Sequence, residues 1–204
     1  MRDSATQHHA VGARVDPRLV RAHVGRPVDP VVSGSPSVVP TQSSPAAESI
    51  VLGAKAVGTN KFGTAEATVE AYLTARLGKA DDSHLGKVCE LDTGTPYGRQ
   101  LGYSSVYLFF ESAPKGTKTS PRKLSGWLAQ TDAPLPDGFM LDESLPLKTT
   151  YADLKKAFPG SKLDEIPLGE SAFYVFTTPS GIWYRGEDDT TPDQVGAGPM
   201  RTCE

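Results

Sequence analysis

Aromatic residues are missing from the first part of this sequence. None precedes Phe62, and all seven Phe, seven Tyr and two Trp lie from there on. Without them residues 1–49 cannot bury enough apolar surface to offset the entropy of ordering. Pro17, Pro27, Pro30, Pro36, Pro40 and Pro45, with the run Ser33–Pro45, mark this stretch as a disordered Pro/Ser-rich tether. At most a turn or two of helix is expected in it, over Asp16–His23, with Asp16 as cap and Pro17 first.

Cysteine is scarce: Cys89 and Cys203 are the only two, with no Cys-x-x-Cys and no histidine spacing, which removes the usual zinc patterns. The pair permits one disulfide in an oxidising compartment, closing a loop of roughly 110 residues for about 4–5 kcal/mol in the chain-entropy model. Two unrelated thiols are the alternative. No run approaches the roughly 20 apolar residues of a bilayer span, so no membrane span is expected. Met1–Ala10 also lacks the apolar segment of a signal peptide. The residues themselves leave two compartments open, the cytoplasm and an extracytoplasmic location reached by a leader outside this start. A strong charge bias is lacking too: 21 Lys and Arg against 24 Asp and Glu give a net charge of −3. That balance supplies no general attraction to nucleic acid or anionic membrane, and no nucleic-acid partner is expected.

A nucleophile with its base is likewise not in evidence. His8, His9 and His23 fall in the tether, and His84 reads as a solvated loop residue beside Asp81 and Asp82. Gly169-Glu-Ser171-Ala-Phe173 supplies only the first glycine of a nucleophile elbow, so Ser171 reads as the start of a strand. Glu187, Asp188, Asp189 and Asp193 offer oxygen ligands without calcium-loop spacing and read as a hairpin end. No catalytic residue, metal site or cofactor is expected.

What the chain does contain is patterned strand. Ala172–Glu187 holds two aromatic-rich runs around Thr178-Pro-Ser-Gly181 and predicts a hairpin. Ser105–Glu111 resembles its first strand, and Leu124–Gln130 is the expected partner of that run. A helix is predicted over Ala65–Leu77, capped by Thr64, stopped by Gly78, with Val69, Tyr72, Leu73 and Leu77 on one face. A second is predicted over Tyr151–Phe158, with Thr150 and Asp153 as a capping box and Pro159-Gly160 as stop. Strands are expected at Ser49–Leu52, Lys87–Leu91, Arg99–Gly102, Val106–Glu111 and Ser125–Gln130. In the second part they fall at Leu163–Pro167, Ala172–Thr178, Ile182–Arg185 and Gln194–Cys203, the last irregular or at an edge because of its glycines.

Each part thus reads as a helix followed by about four antiparallel strands. The expected fold class is α+β: two tandem helix-plus-strand repeats, 50–131 and 132–204, sharing one sheet with both helices on one side, a single compact unit over 50–204 behind the tail. Thr64 with Val69 matches Thr149 with Leu154 in spacing, and Phe109 with Phe176 and Trp127 with Trp183 extend the correspondence.

The segments Val51-Leu-Gly, Ala56-Val-Gly58, Lys61–Val69 and Leu77-Gly78, with Leu147–Leu154 and Phe158-Pro-Gly160, resemble the secreted tandem-repeat proteins that share the fold of β-lactamase inhibitory protein. The resemblance covers roughly residues 50–204. It implies a helical layer behind a concave antiparallel sheet, a protein partner gripped by that face and its loops, and a secreted or cell-envelope location behind a Ser/Thr/Pro-rich tether. One cysteine per half further implies a cross-link between the halves or to the C-terminal strand. No inhibitory residue is carried over.

Candidate contacts follow from strand alternation and charge. Tyr107 and Phe109 should share one sheet face, Tyr174 and Phe176 one face, and Trp183 and Tyr184 opposite faces. Tyr103, Tyr107, Trp127, Tyr174 and Trp183 are the candidate aromatic contacts, and Lys118 and Arg122 the basic-loop contacts. The leading expectation is a non-enzymatic, inhibitor-like extracytoplasmic module that binds a protein. Its alternatives are a small-ligand-binding or hydrolytic protein with a cleft between the repeats, carrying Asp188, Asp189, Arg185 or His84, and a structural envelope component.

Overall fold

The computed structural model of the chain describes residues 48–89, 95–142, 144–168 and 171–200. All belong to the compact unit Ser43–Glu204. The expected tether lies outside the described residues but for its last two, and Cys203 lies outside them too.

The described chain is mostly sheet, with two helices. Eight antiparallel strands form the larger sheet in the order β4(Asp82–Lys87), β5(Tyr97–Tyr103), β6(Val106–Glu111), β7(Lys123–Gln130), β12(Gln194–Ala197), β11(Ile182–Gly186), β10(Ser171–Thr177), β9(Leu163–Leu168). A smaller sheet orders β3(Asn60–Lys61), β2(Ala56–Val57), β1(Ile50–Gly53) and β8(Phe139–Leu141), with β8 parallel to β1. The helices are α1(Glu66–Leu77) and α2(Tyr151–Ala157). Four strands of the large sheet thus follow each helix, and the last of each set, β7 and β12, meet at the middle of the sheet.

Period-2 alternation decides which face is covered. In β6, Val106, Leu108 and Phe110 are fully buried while Tyr107, Phe109 and Glu111 stay partly exposed. The buried set continues across the sheet through Leu101, Trp127, Ile182 and Tyr184, and packs with Val69 and Leu73 of α1, Tyr151 and Leu154 of α2, and Ile50 and Leu52 of β1. Both helices and the small sheet therefore cover one face. Three buried polar groups tie this layer down: Trp127 Nε1 donates to the Gly53 carbonyl (2.8 Å), Tyr151 Oη to Tyr174 (3.0 Å) and Tyr184 Oη to Pro146 (3.1 Å).

Several expectations are corrected. The first helix starts at Glu66 with Ala65 as cap and no side-chain cap bond, because the Thr64 backbone is occupied by pairing: Leu124 N donates to Thr64 O at 2.8 Å. The strand expected at Lys87–Leu91 lies earlier, at Asp82–Lys87, so His84 is a strand residue level with Gln100 rather than a loop residue. Its sequence, Asp-Ser-His-Leu-Gly-Lys, has no apolar alternation, and only pairing with β5 makes it a strand. The last strand is short, regular and central, not an irregular edge; the irregularity falls opposite Phe109 and Phe110, where β6 meets β7. The pairing of Trp127 with Trp183 also fails, since Trp127 lies on the fourth strand after α1 and Trp183 on the third after α2. The same offset separates Phe109 from Phe176. The second helix is as expected: Thr150 Oγ1 accepts from Asp153 N (3.1 Å) and bonds the Asp153 carboxylate (2.9 Å).

Candidate functional site

The other face of the large sheet carries neither helix nor second sheet among the described residues. Alternation places Tyr107, Phe109, Leu128, Trp183, Arg185, Val175 and Phe173 on it. Phe173, Val175 and Trp183 are nevertheless buried, packed with Leu128, Ile166 and Met200 as a second, smaller apolar cluster. Met200 reaches it because the chain turns at Gly198 (φ 92°) beyond β12, where the Gly198 carbonyl accepts from Trp183 Nε1 at 3.1 Å.

Between this cluster and β4–β6 runs a groove of about 220 Å³. Phe109 and Leu128 wall it from the first half, Trp183 and Met200 from the second, and His84 and Arg185 supply polar groups at its sides. Its depth depends on glycine. A Cβ on Gly196 would lie 2.4 Å from the Trp183 ring and 2.6 Å from the Trp127 carbonyl oxygen. Only a bare Cα lets the indole lie against the middle of the sheet.

The basic loop is anchored rather than free. Arg122 Nε donates to Glu66 at 2.6 Å, Arg99 Nη1 donates to Glu66 (2.8 Å) and Glu70 (2.9 Å), and Arg99 Nη2 to Glu70 (3.0 Å). Burial alone would raise the Glu66 carboxyl; the hydrogen bonds from Arg122 and Arg99 outweigh it and hold the group below its ordinary value. This network fastens the loop end and β5 to the first turn of α1 on the covered side.

The candidate contacts therefore separate. Tyr107 and Trp183 lie on the open face. Tyr103 is 5 % exposed on the covered side, edge-on to Phe139, and Trp127 is fully buried, so neither can meet a partner. Tyr174 also points to the covered side and packs against the main core. Arg122 is an internal ion-pair residue, whereas Lys118 is exposed. Arg185 and His84 reach the groove; Asp188 is spent on its turn, accepting from Thr190 N (2.7 Å) and Thr191 N (2.9 Å). Leu128, Gln194 and Met200 had no functional signal in sequence; Gly196 was one, read as a bulge.

No protein-family model matches the sequence, and no curated protein and no solved structure matches it.

Proposed function

We propose that this chain is a non-enzymatic, extracytoplasmic protein-binding module, akin to the inhibitor-like family named above and built from two tandem α+β repeats, whose partner docks on the open sheet face. The observation that carries the reading is the one-sided sheet with a groove walled by both halves. The groove's volume, about 220 Å³, lies below the range of roughly 300–1,000 Å³ usual for small-molecule pockets and suits one or two inserted side chains, whereas a hollow of about 410 Å³ lined by Asp132, Lys148, Asp188 and Asp193 lies within it. Half-buried Tyr107 and Phe109 beside it are the residue types that anchor interfaces. Extracytoplasmic placement would permit the disulfide expected from Cys89 and Cys203.

A photo-crosslinking residue at Tyr107, with a control at exposed Val51 on the small sheet, tests this in cells that make the protein. A defined protein adduct from position 107 and none from 51 is expected. No adduct, or equal adducts from both, would overturn the reading. Alkylation of both cysteines without reductant would overturn the extracytoplasmic placement. The straddling of both halves by the groove also fits a small ligand between repeats; native mass spectrometry would then show a bound molecule displaced by Phe109→Ala.

A further inference from the structure

We infer that the groove selects an acidic segment of the partner protein, one that lays an apolar side chain on Phe109 and Leu128 and presents a carboxylate to Arg185. This rests on the docking reading above and adds to it the chemistry of the partner.

Arg185 stands on β11, level with Val175 and Gln194, on the open face. Its guanidinium carbon lies 4.4 Å from the centre of the Phe173 ring. No hydrogen bond or ion pair among the described residues engages its five donors. Contact with a ring face leaves the N–H donors available, and a guanidinium fork suits a bidentate carboxylate. Two other arginines among the described residues show the contrast, Arg99 and Arg122, which spend their forks on Glu66 and Glu70, while Arg76 lies over Tyr72 away from the groove. Arg185 lies near enough to Asp193 to lower its carboxyl electrostatically, but no ion pair joins it to Asp193 or Asp188 among the described residues.

The rest of the groove favours the same sign of ligand. His84, exposed and level with Gln100 on the open face, adds a donor group along β4 and forms no ion pair among the described residues. The acid that lines it, Glu111, already has an interaction of its own. Lysine would give the same charge at Arg185 but not the fork, so geometry as well as charge is at stake.

The test uses random linear peptides selected on the full chain. Recovered peptides should pair Asp or Glu with a nearby aromatic or large aliphatic residue. Changing that acid to its amide should weaken binding to the wild type by at least about tenfold, the usual worth of a charged hydrogen bond. The same change should cost under about twofold against Arg185→Gln, with Arg185→Lys in between. Circular dichroism and the urea midpoint confirm that each variant is folded. Peptides that lose binding in Phe109→Ala but show no coupling to Arg185, or that carry phosphate or base instead of carboxylate, would overturn this inference and leave the docking face standing. Failure to recover any peptide sensitive to Phe109→Ala would overturn both.

Discussion

At the scale of single residues the most consequential group is Glu66. Its side chain is 11 % exposed and takes hydrogen bonds from two arginines that come from different strands and loops. Glu66→Gln leaves Arg122 without its carboxylate partner, while Arg99 keeps Glu70, and is expected to cost about 1–3 kcal/mol, less than an enclosed pair because the arginines reach solvent. Urea denaturation measures it. Because the folded carboxyl titrates below its ordinary value of 4.5, its contribution is complete above that pH and is lost as pH falls through the depressed value. The gap between wild type and Glu66→Gln should therefore be widest near neutrality and close in acid. Asp193 works in the opposite sense: burial, then Glu187, raises its carboxyl despite Arg185. Asp193→Asn should be neutral or slightly stabilising at pH 7, with the advantage vanishing as pH drops through the raised value.

Two elements lend themselves to direct tests. In α2, only seven residues long, the Thr150 cap satisfies a backbone donor that the short helix cannot satisfy itself. Thr150→Ala should cost about 1 kcal/mol, read as a lowered urea midpoint. In β12, Gly196→Ala puts a methyl group where the Trp183 ring and a carbonyl already lie. The expected cost is about 1–3 kcal/mol, with a red shift of tryptophan emission as Trp183 leaves the sheet while Trp127 stays buried. An unshifted spectrum would mean that the indole does not depend on this glycine.

For the whole molecule the two halves cannot be separate folding units. The parallel pair β1–β8 and the central pair β7–β12 both cross between residues 50–131 and 132–204. Tyrosine and tryptophan from both halves fill one core. Unfolding should accordingly be a single cooperative transition, with circular dichroism and tryptophan fluorescence superimposable. Two resolved transitions would show that the halves hold together less tightly than these pairings require.

Much was legible before any coordinates. Alternation told which residues share a face, Tyr107 with Phe109, Tyr174 with Phe176, and Trp183 opposite Tyr184, because a strand has only two sides; it did not tell which face the helices cover. Thr150, Asp153 and Pro159-Gly160 bounded α2 through local backbone chemistry. What sequence could not carry was anything decided by distant pairing. The polar strand Asp82–Lys87 exists because β5 lies beside it, and the two-residue strands of the small sheet are held by neighbours rather than propensity. Tyr103 and Trp127 differ from Tyr107 and Trp183 only in which side of the sheet the helices cover. Arg122 and Arg185 look alike as residues; tertiary structure gave the first the Glu66 carboxylate on the covered side and left the second over the Phe173 ring beside an open groove.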